Sequence, residues 1–210
     1  MKRLTLCCVF LLLAPVAFAQ VPSIGFGAHV NFTNANFPGP DLNGSDALKD
    51  VYGAGFGGGA HLDVNTMMLS LRFSLDVLKF SPDNDKYRAA VANYIGSAAS
   101  QFTVDGGSIT FWSISANAKL PVLPLPLISP YITGGIGLGI LSVGDATILQ
   151  NSAQVKNIPG FSSERKTALN LGAGVDLKIG ITLFLEARYT WVLTDPKTST
   201  LVPCSLGVTF

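Results

Sequence analysis

The chain has 210 residues, enough for one domain with a sizeable core. Hydrophobic residues make up 48% of it and charged residues 13%, where an ordinary soluble domain carries about 25% charged, and the mean hydropathy is +0.42. Fourteen basic and 13 acidic residues leave a net charge of +1, which excludes the basic footprint of a nucleic-acid partner and points to a solvent other than water.

In chain order, the first segment reads as a secretory signal over 1–19. Lys2 and Arg3 form its charged start, Leu4 to Leu13 its apolar stretch, and Ala17-Phe18-Ala19 a small-x-small cleavage site. Cys7 and Cys8 fall inside it, so residues 20–210, the expected barrel domain, keep only Cys204 and have no intramolecular disulfide.

A two-residue period then recurs, the period of a β-strand. The first strand, 23–33, sets Ile24, Phe26, Ala28, Val30 and Phe32 against Gly25, Gly27, His29 and Asn31. The second, 52–64, sets Tyr52, Ala54, Phe56, Ala60, Leu62 and Val64 against glycines, His61 and Asp63. After a short turn, 68–80 alternates Leu69, Leu71, Phe73, Leu75 and Val77 with Ser70, Arg72, Ser74 and Asp76. A long loop, 81–107, contains the Ala-rich stretch 89–99, a candidate loop helix. The fourth strand, 108–120, puts Trp112 and Ile114 opposite Phe111, Ser113 and Lys119.

Leu120 to Gly144 carries no charge over 25 residues, long enough for a membrane helix. It holds four prolines and five glycines, and each interior proline costs a helix about 3 kcal/mol and each glycine about 1. It therefore divides into a proline-rich turn, 121–130, and a glycine-rich strand, 131–143. Beyond a second long loop, 144–166, come strands at 167–178, 182–192 and 201–210, joined by a tight turn at 179–181 and a short loop at 193–200. In "LFLEARYTW" the period places Leu183, Leu185, Ala187, Tyr189 and Trp191 on one face. Phe184, Glu186, Arg188 and Thr190 lie on the other.

Eight strands with short turns at one end and longer loops at the other predict an all-β fold, an eight-stranded antiparallel up-and-down transmembrane β-barrel. The polar faces are Gly, Ser, Thr and Asn with few charges, whereas a water-facing surface carries far more Lys and Glu. The apolar faces are therefore expected to meet lipid. A one-residue slip would drive Arg188 into hydrocarbon at about 2–4 kcal/mol near the midplane, so the apolar band sets the register.

The inward set is Asp63, Arg72, Asp76, Lys119, Asp176, Lys178, Glu186 and Arg188, four acids and four bases. A narrow lumen makes an unpaired charge expensive, so these are expected to pair as an interior plug, with Arg72, Glu186 and Arg188 at mid-depth. The other reading is that they line a small wet pore. His29 and His61 are inward and close enough to be neighbours. A metal there would need Asp63 as a third ligand, and hydrogen-bonded interior histidines are expected instead. Tyr52, Trp112, Tyr189 and Trp191 are expected to form an interfacial aromatic girdle.

The stretches "SPYITGGIGLGI" and "LGAGVDLKIGITLFLEARYTW" resemble the Pro-Tyr-x-x-Gly-x-Gly strand and the Gly-x-Gly-x-Asp hairpin of the small OmpA-like and OmpW-like outer-membrane β-barrels, the porin family. The resemblance covers about 20–210. The terminal "SLGVTF" is similar to that family's C-terminal signal, which implies that Leu206, Val208 and Phe210 are read by the barrel-insertion machinery. It further implies outer-membrane lipid as the surrounding medium, export through the periplasm, and both barrel ends of the chain on the periplasmic side.

No Gly-x-Ser-x-Gly is present, and neither histidine is followed by serine. The glycine patterns "GAGFGGG" and "GGIGLG" precede no helix that would present its N-terminus to a phosphate. No cofactor is implied. The expectation is a non-enzymatic structural or surface-interaction protein whose loops contact an unidentified ligand. The alternatives are a small porin or conduit for small or hydrophobic solutes, and a barrel-borne lipid-modifying enzyme.

Overall fold

The computed structural model describes residues 22–37, 51–66, 69–95, 102–123, 125–150, 153–162, 165–193 and 198–210; the expected signal lies outside them. The elements in chain order are β1 (Ser23–Asn36), β2 (Ala54–Asn65), β3 (Ser70–Phe80), α1 (Asn84–Ile95), β4 (Phe102–Gly106) and β5 (Ile109–Pro121). They continue with β6 (Ile128–Val143), β7 (Ala146–Gln150), β8 (Ala153–Ile158), β9 (Phe161–Ser162), β10 (Lys166–Lys178), β11 (Thr182–Val192) and β12 (Ser199–Thr209).

Eight of the strands close a ring in the order β1-β2-β3-β5-β6-β10-β11-β12, every neighbour antiparallel and β12 returning to β1. Closure removes every edge, so the backbone N–H and C=O groups are satisfied within the barrel wall, as a lipid-embedded sheet requires. The end of the chain takes part: Phe210 and Phe26 exchange both backbone hydrogen bonds, at 2.9 and 3.2 Å.

The burial pattern is inverted relative to a soluble protein. Phe32, Phe56, Phe73, Ile114, Ile136 and Leu185 are exposed, while Asn31, His61, Arg72, Asn117 and Glu186 are buried. Along each barrel strand the two classes alternate, as the sequence period requires. The apolar shell is far larger than the patches a water-soluble monomer exposes.

Two features depart from expectation. The β5–β6 turn is shorter than 121–130, because β6 begins at Ile128 and Pro130 is paired with Val175. Its carbonyl accepts from Val122 N–H at 2.9 Å; the missing N–H does not end the strand. The long loops also carry structure of their own. β4 from the first pairs with β7 from the second, and β7 with β8, giving a three-stranded sheet beside α1 at the loop end. The helix starts before the Ala-rich stretch, where Asp83 Oδ1 accepts from the N–H groups of Asp85 and Lys86 at 3.1 and 3.3 Å, an N-cap. At Gly106 and Gly107, φ values of +89° and +71° turn the chain from the loop sheet into β5.

Candidate functional site: the ionic lumen

The inward positions of β3, read from the turn end upward, are Ser70, Arg72, Ser74, Asp76, Leu78 and Phe80. They mark the layers of the lumen: a polar mouth, an ionic layer, then an apolar layer below the loops.

In the ionic layer Arg72 grips its cross-strand partner Asp63 through two N–H groups, Nε to Oδ1 and Nη2 to Oδ2, each 2.7 Å. Such a bidentate pair has the favoured geometry for guanidinium and carboxylate. Arg72 Nη1 lies 3.9 Å from Glu186 Oε2. Arg188 Nε lies 3.0 Å from Glu186 Oε1, outside hydrogen-bond alignment, and its Nη2 lies 3.8 Å from Asp76 Oδ1. Tyr131 O–H donates to Glu186 at 2.7 Å, and its ring lies under Lys119 Nζ at 4.1 Å. Lys119 donates to both Asp176 oxygens at 3.2 Å.

The histidines extend the network. His29 Nε2 donates to Asp76 Oδ1 at 2.6 Å, the two Nδ1 atoms share one N–H at 3.3 Å, and His61 Nε2 meets Thr209 Oγ1 at 2.8 Å. The partner of His29 is thus Asp76, while Asp63 is held by Arg72. Among the described residues no group of three or more His, Cys, Asp or Glu forms a metal cluster. Asn31 donates to Asp76 at 2.9 Å and accepts from Ser205 at 2.6 Å.

All eight barrel strands contribute to this network. Two of its contacts, Arg72–Glu186 and Arg188–Asp76, join β3 to β11, which lie diametrically opposite in the ring. Phe184 fills the space between. Arg72 Cζ is 4.1 Å from its ring centre, and His61 meets it edge-on at 5.2 Å. Lumen-facing glycines make this room: a Cβ on Gly207 would lie 2.5 Å from the Phe184 ring, and one on Gly174 2.5 Å from Tyr131. Phe184 and Tyr131 were not among the expected site residues. The two-residue period placed Phe184 inward, but inward aromatics in a polar row give no sign of being organisers.

The expected interior set is not all in one place. Lys178 is exposed at the turn-end rim, where with Lys119, Asp63 and Asp176 it borders a vestibule of about 300 Å³. Deeper voids are about 20 and 10 Å³, the smaller scale being that of a single water molecule. Above the ionic layer, Leu78, Phe80, Phe111, Val192 and Leu201 turn inward and pack together with Phe37.

Trp112 is exposed on the outer wall, and Tyr189 and Trp191 meet there as a tilted pair with ring centres 4.6 Å apart. Tyr52 is a correction. It precedes β2 and is 3% exposed, with its O–H donating to Gly107 C=O and its ring between Phe37 and Tyr87. The alternation of β2 does not extend through Gly53 into the loop, so Tyr52 folds inward as part of the lid. Burial and then neighbouring Tyr87 push its phenol above the ordinary range.

A closed barrel with an apolar outer wall and an ionic lumen defines an integral outer-membrane β-barrel protein. The family model for the outer membrane protein beta-barrel domain matches residues 4–209, and the chain belongs to that family. No curated protein matches it. Among solved structures it is similar to Neisserial surface protein A, with 15% identity over 90% of this chain and 98% of that one and a TM-score of 0.54. It is also similar to a major outer membrane protein from Thermus thermophilus, with 12% identity over 90% and 100% and a TM-score of 0.52. At such identities the likeness is one of fold.

Proposed function

We propose that the protein is a sealed, non-enzymatic barrel that anchors a structured cap at the cell surface. The observation that carries this reading is the pair of contacts between opposite strands, Arg72–Glu186 and Arg188–Asp76, at 3.9 and 3.8 Å. Side chains meeting across the full diameter support a lumen without a continuous path. The apolar layer above them is a second barrier. The lid of α1 and the β4-β7-β8 sheet then serves as the platform on which an external ligand docks. Lipid modification has no support in the site, since His29 and His61 are committed to each other, Asp76 and Thr209.

The same reading includes export on residues 1–19, insertion guided by Leu206, Val208 and Phe210, and the turn end in the periplasm. Phe210 is exposed beside Phe26 at 6.0 Å between ring centres, where an insertion factor would find it. In a Cys204→Ser background, Lys86→Cys in α1 is expected to react with an impermeant maleimide on intact cells. Vesicles carrying the protein are expected to retain small solutes. Labelling only after lysis, or solute loss at the rate of an open porin, would reject the proposal.

A further inference from the structure

The uncharged stretch 120–144 is only partly used by the barrel wall. Val122, Leu123, Leu125 and Leu127 lie in the β5–β6 turn, past the last residue of β5, and all are exposed, Leu123 at 54%. The neighbouring β10–β11 turn adds Ile179 and Ile181, exposed at 56% and 39%. The two turns are joined, because Lys178 N–H donates to Leu127 C=O at 2.8 Å. A tight turn through Gly180, with φ of +96°, holds Ile179 and Ile181 beside them.

Six apolar side chains therefore form one knob below the barrel wall, on one side of its mouth. Among the described residues of the β2–β3 turn, Ser70 donates to Asn65 at 2.7 Å and Thr66 to Leu69 C=O at 2.6 Å. The knob is continuous with the lipid-facing wall through Leu120 and Ile128, both exposed.

We infer that the two turns form a lipid-inserted foot, which stays in the leaflet at the turn end instead of standing in aqueous solution. Continuity with the lipid-facing wall identifies the occupant as phospholipid, its acyl chains against Leu123, Leu125, Ile179 and Ile181. The foot reaches at most about 10 Å beyond the strand ends, since the six-residue turn allows three extended residues in each direction.

The test uses full-length protein in bilayers, in a Trp112→Phe, Trp191→Phe background. Leu123→Trp is expected to emit at shorter wavelength than Lys86→Trp in α1 and to lose most of its intensity in brominated phospholipid. Ile179→Trp provides the same readout if Leu123→Trp fails to give heat-modifiable, folded barrel. Emission like that of Lys86→Trp, untouched by bromine, overturns the inference and leaves the knob to a soluble protein. A short-wavelength emission without quenching overturns it as well, since the residue is then packed against the protein.

Discussion

Replacing Glu186 by glutamine removes one charge and little volume from the centre of the lumen. Its carboxylate faces Arg188 at 3.0 Å and Arg72 at 3.9 Å, and accepts from Tyr131 at 2.7 Å. The amide carbonyl keeps the Tyr131 bond. Arg72 keeps its two 2.7 Å bonds to Asp63, so its loss is small. Arg188 keeps only Asp76 at 3.8 Å. Breaking a buried pair on one side costs about 3–5 kcal/mol, and the remaining partner places this case near 3. With a urea slope of about 2 kcal/mol per molar, the unfolding midpoint in lipid vesicles, followed by Trp fluorescence, should fall by about 1.5 M. Adding Arg188→Gln should restore part of the loss, with a coupling of about 1–3 kcal/mol between the two sites. A Glu186→Gln change within about 0.5 kcal/mol of wild type, the range of an ordinary surface substitution, would mean a hydrated carboxylate and refute the dry ionic layer.

Gly207→Ala puts a Cβ 2.5 Å from the Phe184 ring and should cost about 1–3 kcal/mol, the usual range for overpacking, by the same urea assay. Tyr52→Phe removes the bond to Gly107 C=O; limited proteolysis should cut the lid faster while heat-modifiable migration of the barrel stays unchanged. Because burial raises the phenols of Tyr52 and Tyr87, the folded lid favours their neutral form. That contribution is whole below the ordinary phenol range and is lost as pH rises from there through the raised folded values, so proteolysis of the lid should accelerate in strong alkali. Phe210→Ala should slow barrel assembly in a reconstituted insertion assay while leaving the assembled barrel heat-modifiable.

Strand alternation made much of this architecture readable, because a lipid-facing wall imposes one apolar row on each strand. Glu186 and Arg188 were placed inward by that rule alone. The closeness of His29 and His61 followed from their similar height on adjacent strands; Gly27 stands opposite His61, and His29 two residues further up. Height along the lumen was less legible. Lys178 has the same parity as Asp176 but sits one step lower, and there the side chain reaches solvent. Leu78 and Phe80 continue the inward row of Arg72 and Asp76, so an apolar layer was implicit in the period, but their composition suggests the outer face. Tyr52 misled because alternation holds only where strands are paired, and pairing starts at Ala54. The loop sheet had no amphipathic signal of its own: β4, β7 and β8 span 5, 5 and 6 residues and are stabilised by one another.

Current through planar bilayers containing the folded wild-type protein addresses the sealed lumen most directly. With Arg72 and Arg188 each contacting an acid across the diameter, the membrane should remain electrically silent over the full voltage range. Steady unitary currents whose size changes in Arg72→Gln or Arg188→Gln would show that ions pass between those side chains, and that the interior is a pore.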